Sequence, residues 1–325
     1  MKLIGKLQVI VTVWLLLFNC SMSFAAENSY QRLIIFGDDY SDTGNTYQLT
    51  HHVIPNPARY YQGRFSDGPA WDNYFAKMIG IESEDQDQFL NFAFGDSEIF
   101  RPVSKIVHDK ESKRYLVPNL AMQIDRFTKK YHRFNSHDLA IIYIGSNDFI
   151  PFVRLKTDAF FKDLANQEAA QVNRIIKLGA RNIIIFNVGD LTHTPYAYKI
   201  KKKTFLPLVN QYTDNLRQMI KGFNQQLAED LKNKPVVKIY DLYQFEDNIF
   251  SAIDKGGYAY RFENKNYMLK ASKPCYQNYE GDYQKIVGPV CDKPQEFFYY
   301  DDLHTTHFVN YLLAKDVYRW SNRKT

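Results

Sequence analysis

The sequence contains little cysteine, little net charge and no long hydrophobic run beyond its N-terminal segment. Its 325 residues include three cysteines, whose spacing fits neither a CxxC redox motif nor a zinc site. No stretch after residue 26 holds 18 uninterrupted apolar residues, so we predict no transmembrane anchor. There is also no internal repeat, linker or break in composition, which favours a single domain over residues 27–325.

The first 26 residues have the pattern of a secretory signal peptide. Lys2 and Lys6 form a positive segment, an apolar run follows at residues 9–18, and small residues favour cleavage after Ala25 or Ala26. We therefore predict a secreted or periplasmic protein. Removing the leader takes away two lysines and no acid, which lowers the formal net charge from +5 to +3. A charge this small gives no support for nucleic-acid binding.

Two cysteines remain after the predicted cleavage, Cys275 and Cys291, with 15 residues between them. In an oxidising compartment such a pair is most simply a disulfide. The surrounding segment, residues 243–299, is rich in Tyr, Asn, Lys and Gly and is weakly periodic. We interpret it as a long, disulfide-pinned insertion that lies over one side of the active face, as a lid, a binding loop or an idle surface loop.

Short apolar runs alternate with helical patterns along the rest of the chain. Apolar residues spaced three and four apart follow the second run and the third, which predicts a helix after each. A final helix is expected over residues 306–320. Strands that alternate with helices are typical of a doubly wound α/β fold with a parallel sheet. The predicted buried strands are residues 33–36, 139–144, 182–188 and 236–242.

A polar motif follows three of these strands, and a fourth motif precedes the last helix. They are FGDDYSDTGN at residues 36–45, GSND at 145–148, NVGDLTHTP at 187–195 and DDLH at 301–304. In α/β sheets, ligands bind beyond the carboxyl ends of the strands, which is where the first three motifs fall. Each motif alone is a weak signal, but all four in this order are specific.

These motifs resemble those of the GDSL/SGNH lipolytic hydrolases, which cleave acyl esters. Residues 63–69 are similar to the family's GRFSNGP segment, residues 91–95 to its NYAVG segment, and residues 178–181 precede the third strand as in the family. The resemblance covers nearly the whole mature chain and implies a flavodoxin-like three-layer α/β/α sandwich. The most similar branch is that of secreted bacterial lysophospholipases and acyltransferases, so the implied ligand is an acyl ester or lysophospholipid. No cofactor is implied.

The resemblance also implies a role for each motif residue. A serine attacks the ester, a histidine takes its proton, an aspartate holds the histidine, and backbone and side-chain donors stabilise the oxyanion. By motif match His304 is the base, Asp301 the orienting acid and Asn147 an oxyanion donor. The remaining oxyanion donor corresponds to Gly95 or Asp96, since the family's paired glycines are here a glycine and an aspartate.

The nucleophile position departs from the family pattern, because FGDSLSDTGN aligns without a gap and places Asp39 on the catalytic serine. Ser41 matches the family's second serine, which should already be entering a helix. We expect Asp39 to lie at a helix N-terminus, to accept hydrogen bonds from the oxyanion donors and to raise the pKa of His304. A cationic histidine cannot act as a general base, so we predict an impaired hydrolase.

Three alternatives remain open at the level of sequence. One is an active esterase that uses a non-standard site. Another is a pseudoenzyme whose cleft binds a lipid or a partner. The third is a divalent metal held by Asp39, Asp96 and His304, although no ligand spacing supports it. The sequence gives no oligomeric state.

Overall fold

The computed structural model describes residues 30–107, 112–149, 158–203, 206–278 and 283–323. The predicted leader lies outside these ranges. The regular elements, in chain order, are β1 (Arg32–Gly37), α1 (Asn45–Leu49), α2 (Trp71–Met78), β2 (Phe89–Asn91), β3 (Val103–Val107), β4 (Lys113–Val117), α3 (Leu120–Tyr131), β5 (Asp138–Tyr143), α4 (Ser146–Phe149), α5 (Asp158–Lys177), β6 (Asn182–Phe186), α6 (Pro195–Lys203), α7 (Leu206–Leu231), β7 (Val237–Tyr240), α8 (Leu242–Asp254), β8 (Tyr258–Phe262), β9 (Lys265–Leu269) and α9 (His307–Ser321).

The central sheet has five parallel strands in the order β2-β1-β5-β6-β7. All four predicted strands are in it. Strand β2 was missed because its three residues are too few to show a periodicity. Numbered within the sheet alone, the order is 2-1-3-4-5, which is the flavodoxin-like order. The predicted fold class is therefore confirmed.

Alternate side chains of each strand pack against opposite helical layers, as the pleat of a strand requires. On β1, Ile34 and Phe36 contact the layer formed by α3, α5 and α7. Leu33 and Ile35 point the other way, to the layer formed by α2 and α9. All four side chains are fully buried. The result is a helix–sheet–helix sandwich with a hydrophobic core on each face of the sheet.

The long helices form where the apolar stripes predicted them. Helix α5 buries Leu164, Val172 and Ile175, and the chain then turns at Gly179, whose φ of +106° is a conformation that glycine adopts without strain. Helix α9 begins at His307, one residue after the predicted start, because Thr306 is its extended N-cap residue. Helix α9 therefore starts three residues after the last residue of the DDLH motif.

Residues 243–299 contain more regular structure than their weak periodicity indicates. They include most of α8 and the antiparallel β8–β9 hairpin. Cys275 and Cys291 form the predicted disulfide. Between them, Tyr276 and Tyr283 belong to a buried aromatic cluster that reaches the edge of the sheet where the motifs meet. The disulfide therefore anchors a loop whose aromatic side chains pack against the site. In the part of the chain that the structure describes, no helix is both apolar and long enough to cross a bilayer.

Candidate active site

The side chains of His304, Asp39 and Asp301 meet at the carboxyl edge of the sheet. The Nδ1 atom of His304 lies 2.9 Å from Oδ2 of Asp301, and its Nε2 atom lies 3.4 Å from Oδ1 of Asp39. These three residues are at most 6% exposed. Backbone N–H groups of Leu303 and His304 also donate to Asp301. The imidazole is thus held between two buried carboxylates.

The second oxygen of Asp39 accepts two hydrogen bonds. The backbone N–H of Asp96 donates to Oδ2 of Asp39 at 2.8 Å, and the amide Nδ2 of Asn147 donates to the same atom at 2.7 Å. Asn147 is the second residue of the short helix α4, which begins directly after Gly145, whose φ is +121°. An oxyanion needs two or more such converging donors. A carboxylate oxygen of the protein already occupies them.

Gly95 is wrong as an oxyanion donor. Its N–H donates to Oδ2 of Asp42 at 2.9 Å and to Oγ1 of Thr46 at 2.7 Å, so it points away from Asp39. Of the two alternatives left by the sequence, the structure favours Asp96. Asp42 fixes this arrangement, because it also accepts from backbone N–H groups at the start of α1.

The backbone at Asp96 has a conformation that suits glycine. Its φ is +65°, which costs a residue with a Cβ atom about 1 kcal/mol or more. The carboxylate of Asp96 forms an ion pair with Lys105 from strand β3. Because this carboxylate is turned toward Lys105, it does not converge with Asp39 and His304. Among the described residues, no group of acids, histidines or cysteines is arranged to hold a metal ion.

The expectation that Asp39 lies at a helix N-terminus is wrong. Residues 38–41 form a turn in which the N–H of Ser41 donates to the carbonyl oxygen of Asp38, and helix α1 begins only at Asn45. The negative charge of Asp39 is therefore stabilised by individual donors and by the histidine. Ser41 is fully buried, and its hydroxyl accepts from the indole of Trp71, so it is not exposed to an ester as a nucleophile must be.

The charges of the cluster determine its protonation. Burial alone would lower the pKa of His304, but the charges and hydrogen bonds of Asp301 and Asp39 outweigh it and raise that pKa to about 10. Burial alone would raise the pKa of each carboxyl, yet the hydrogen bond and charge of His304 hold the pKa of Asp39 and that of Asp301 below the ordinary value. At neutral pH the cluster is an imidazolium between two carboxylates.

Aromatic side chains outside the four motifs enclose the cluster. Tyr60 donates its hydroxyl to Oδ2 of Asp301 at 2.8 Å. The rings of Phe65 and Tyr283 lie 5.1 and 5.3 Å from the imidazole, between ring centres. A small cavity of about 10 Å³ lies beside Asp39 and His304, on the side of Phe65 and Asn310. The aromatic rings among the described residues therefore pack closely around the imidazole.

Of these enclosing residues, only Phe65 lies in a segment that the sequence analysis identified, residues 63–69. Tyr60 precedes the segment that resembles GRFSNGP, and Tyr283 lies in the disulfide loop, so only the tertiary fold brings either near His304. Three further acids near the strand ends accept backbone hydrogen bonds. Asp38 accepts from the N–H of Tyr40, Asp148 from Ile99, and Asp190 from Thr192.

Fold and site together define a class: α/β/α proteins with a histidine–aspartate pair and convergent donors at the carboxyl edge of a parallel sheet. A family model described as GDSL-like Lipase/Acylhydrolase matches residues 33–317. The chain therefore belongs to the GDSL lipase/acylhydrolase family.

Relatives span several named activities. The chain is similar to a phosphatidylcholine-sterol acyltransferase of Aeromonas hydrophila, 26% identical over 217 residues, which are 66% of this chain and 59% of that protein. It is also similar to the inactive GDSL esterase/lipase-like protein 25 of Arabidopsis thaliana, 23% identical over 91% of this chain and 72% of that protein. A solved structure of a lipolytic G-D-S-L family member from Veillonella parvula DSM 2008 matches 71% of this chain and 87% of its own, with 13% identity and a TM-score of 0.40.

Proposed function

We propose that this chain is a secreted or periplasmic GDSL-family protein in which acyl-ester hydrolysis is strongly impaired, because Asp39 occupies the nucleophile position. The observation that carries the proposal is the pair of hydrogen bonds from Asp96 and Asn147 to one oxygen of Asp39, with His304 against the other. The disulfide between Cys275 and Cys291 supports an oxidising compartment.

Two chemical steps of ester cleavage are blocked by this arrangement. An imidazolium has no lone pair with which to take a proton from serine or water, so His304 cannot act as a general base at neutral pH. The donors that would stabilise a transient oxyanion are already bound to a permanent anion. Attack by Asp39 itself would exchange an ester for a mixed anhydride and expel an alkoxide, which is energetically unfavourable.

The relatives support both parts of the proposal. The acyltransferase relative and the family model support an acyl ester or lysophospholipid-like molecule as the ligand for which the scaffold evolved. The Arabidopsis relative, whose name describes it as inactive, shows that loss of activity occurs within this family.

A second candidate function is binding without catalysis. A cavity of about 690 Å³ lies between α6, the end of α8 and the segment before Cys275. Its apolar wall includes Pro195, Phe250 and Pro274, and Lys199 lies at its edge. Lys199 is paired with Asp302, the neighbour of the catalytic-site residue Asp301. An amphiphile of lysophospholipid type fits these surroundings, with its chain on the apolar wall.

We expect the purified protein to hydrolyse p-nitrophenyl esters and lysophospholipid at no more than background rates, with His304→Ala changing those rates less than about twofold. A site that lacks its nucleophile keeps only about 10³–10⁴-fold acceleration over water, and here the donors are blocked as well. Rapid turnover that His304→Ala abolishes would contradict the proposal. Lysophospholipid that binds without being cleaved would favour the second candidate.

A further inference from the structure

A second groove lies along the C-terminal half of α9, away from the His304 cluster. It runs between α8, strand β8 and α9 and encloses about 410 Å³. The 15-residue helix α9 begins just after His304, and the groove lies beside it from Leu312 to Trp320, so about 8–20 Å of helix separates groove and cluster. None of the four family motifs lines it.

Four cationic side chains line this groove. Lys315, Arg319 and Arg323 extend from α9 and the residues that follow it, and Arg261 extends from β8 on the facing wall. Lysines and arginines in the last turn of a helix are common because they complement the helix dipole. That reason covers Arg319, but it explains neither Lys315 nor an arginine that faces them from a separate strand.

The two acids that line the groove, Asp241 and Asp316, offset only part of the charge of its four cations. Asp316 accepts a hydrogen bond from the hydroxyl of Tyr240 at 2.7 Å. Asp241 caps α8 by accepting from the N–H of Gln244. Within residues 30–107, 112–149, 158–203, 206–278 and 283–323, no ion pair joins any of the four cations to a carboxylate.

The cations of the groove repel one another, and the effect is seen at Lys315. Partial burial and then the charges of Arg319 and Arg261 hold the pKa of Lys315 below its ordinary value. Like charges kept this close in a concave site raise the local potential and attract anions. An anion bound among them would remove the repulsion.

Aromatic rings complete the walls of the groove. Tyr258 and Trp320 line it beside the cations, and Trp320 is held by an edge contact with Tyr240 at 5.3 Å between ring centres. Guanidinium groups match phosphate oxygens with two parallel hydrogen bonds. Aromatic faces beside them would contact the organic part of a phosphate ester.

The geometry points to a phosphate-binding site in this groove, which takes the phosphate group of a small organic ester or of an anionic lipid headgroup. The site uses Arg261, Lys315 and Arg319 as its cations and the ring of Trp320 as its apolar wall. It is independent of the chemistry at Asp39, and its loss would leave the proposed function intact.

The test uses the mature protein, its Lys315→Ala/Arg319→Ala variant and a charge-matched control, Lys129→Ala/Lys177→Ala, whose side chains are exposed elsewhere. Titration calorimetry with glycerol 3-phosphate measures soluble binding. Co-sedimentation with phosphatidylcholine vesicles, with and without phosphatidylglycerol, measures lipid binding. We expect saturable binding in at least one arm, weakened at least about tenfold in the groove variant and unchanged in the control.

The two arms identify the source of the phosphate. Binding of glycerol 3-phosphate with a rise in Tm for the parent alone indicates a soluble ester. Binding only to vesicles that contain phosphatidylglycerol indicates a headgroup. Absence of binding in both arms, or equal weakening in the groove variant and the control, overturns the inference. Melting curves of both variants show that any loss is not a loss of folding.

Discussion

Asp39→Ser is expected to gain ester hydrolysis, by roughly 10²-fold or more over the parent protein. The substitution supplies the hydroxyl nucleophile and removes one of the two carboxylates that hold His304 as a cation. It also frees the N–H of Asp96 and the amide of Asn147 to bind an oxyanion. A complete triad in hydrolases is worth about 10⁶-fold, so partial recovery is readily measured.

The matched control for this gain is Asp39→Asn. It removes the same negative charge and keeps nearly the same shape, but it supplies no nucleophile. Activity in Asp39→Ser that exceeds that of Asp39→Asn, and that His304→Ala removes again, identifies the serine as the nucleophile. Short p-nitrophenyl esters are the appropriate substrates, because the rings of Phe65 and Tyr283 pack closely around His304 and favour a small acyl group.

The double variant Asp39→Ser/Asp96→Gly separates two defects of the site. One is the missing nucleophile at residue 39, and the other is the aspartate at residue 96 in place of a glycine. Glycine adopts the φ of +65° at residue 96 without strain and removes a carboxylate from the vicinity of the donors. We expect the double variant to hydrolyse esters faster than Asp39→Ser alone. If neither variant hydrolyses esters faster than Asp39→Asn, the rest of the site has also lost its catalytic arrangement. Binding without catalysis then becomes the better proposal.

His304→Gln is expected to destabilise the protein by about 3–5 kcal/mol near pH 6. Removing one partner of a buried ion pair leaves the opposite charge uncompensated, and here Asp39 and Asp301 would both lose their cation. Urea unfolding of the parent and the variant measures the difference. His137→Gln, with an exposed side chain, is the matched control and should change stability little.

The destabilisation depends on pH in a direction that the pKa values determine. His304 titrates near 6.5 in the unfolded chain and near 10 in the folded one. Its stabilising contribution is therefore complete below pH 6.5 and is lost as the pH rises through 10. The depressed pKa values of Asp39 and Asp301 add stability above their unfolded values, and this part is lost in acid. We expect the gap between parent and His304→Gln to narrow steadily from pH 6.5 to pH 10, and a constant gap would contradict this account.

Sequence patterns were sufficient for the fold because its main strands have short, nearly continuous apolar cores. The runs at 139–144 and 182–188 could be recognised as strands from their apolar residues. A parallel sheet then brings motifs at successive strand ends to the same edge. The grouping of Asp39 and Asn147 follows directly from that geometry, whereas His304 was placed with them by the family resemblance. The three-residue strand β2 and the hairpins β3–β4 and β8–β9 were not predicted, since short edge elements depend on tertiary packing.

The surroundings of the site were harder to predict than its centre. The sequence could not decide between Gly95 and Asp96, because the direction of an N–H group depends on the local turn and on Asp42 across it. Lys105 and Tyr283 reach the site from a hairpin and from the disulfide loop, and neither has a local motif. Such contacts join residues distant in the chain and are fixed by the packed fold.

The central claim is that His304 is a cation at neutral pH, and NMR titration of its imidazole nitrogens from pH 5 to pH 11 tests it most directly. The structure predicts that both ring nitrogens stay protonated through pH 8, with a midpoint near 10. Asp39→Ser should move this midpoint downward. A neutral imidazole at pH 7 in the parent protein, with a midpoint at or below 6.5, would contradict the account.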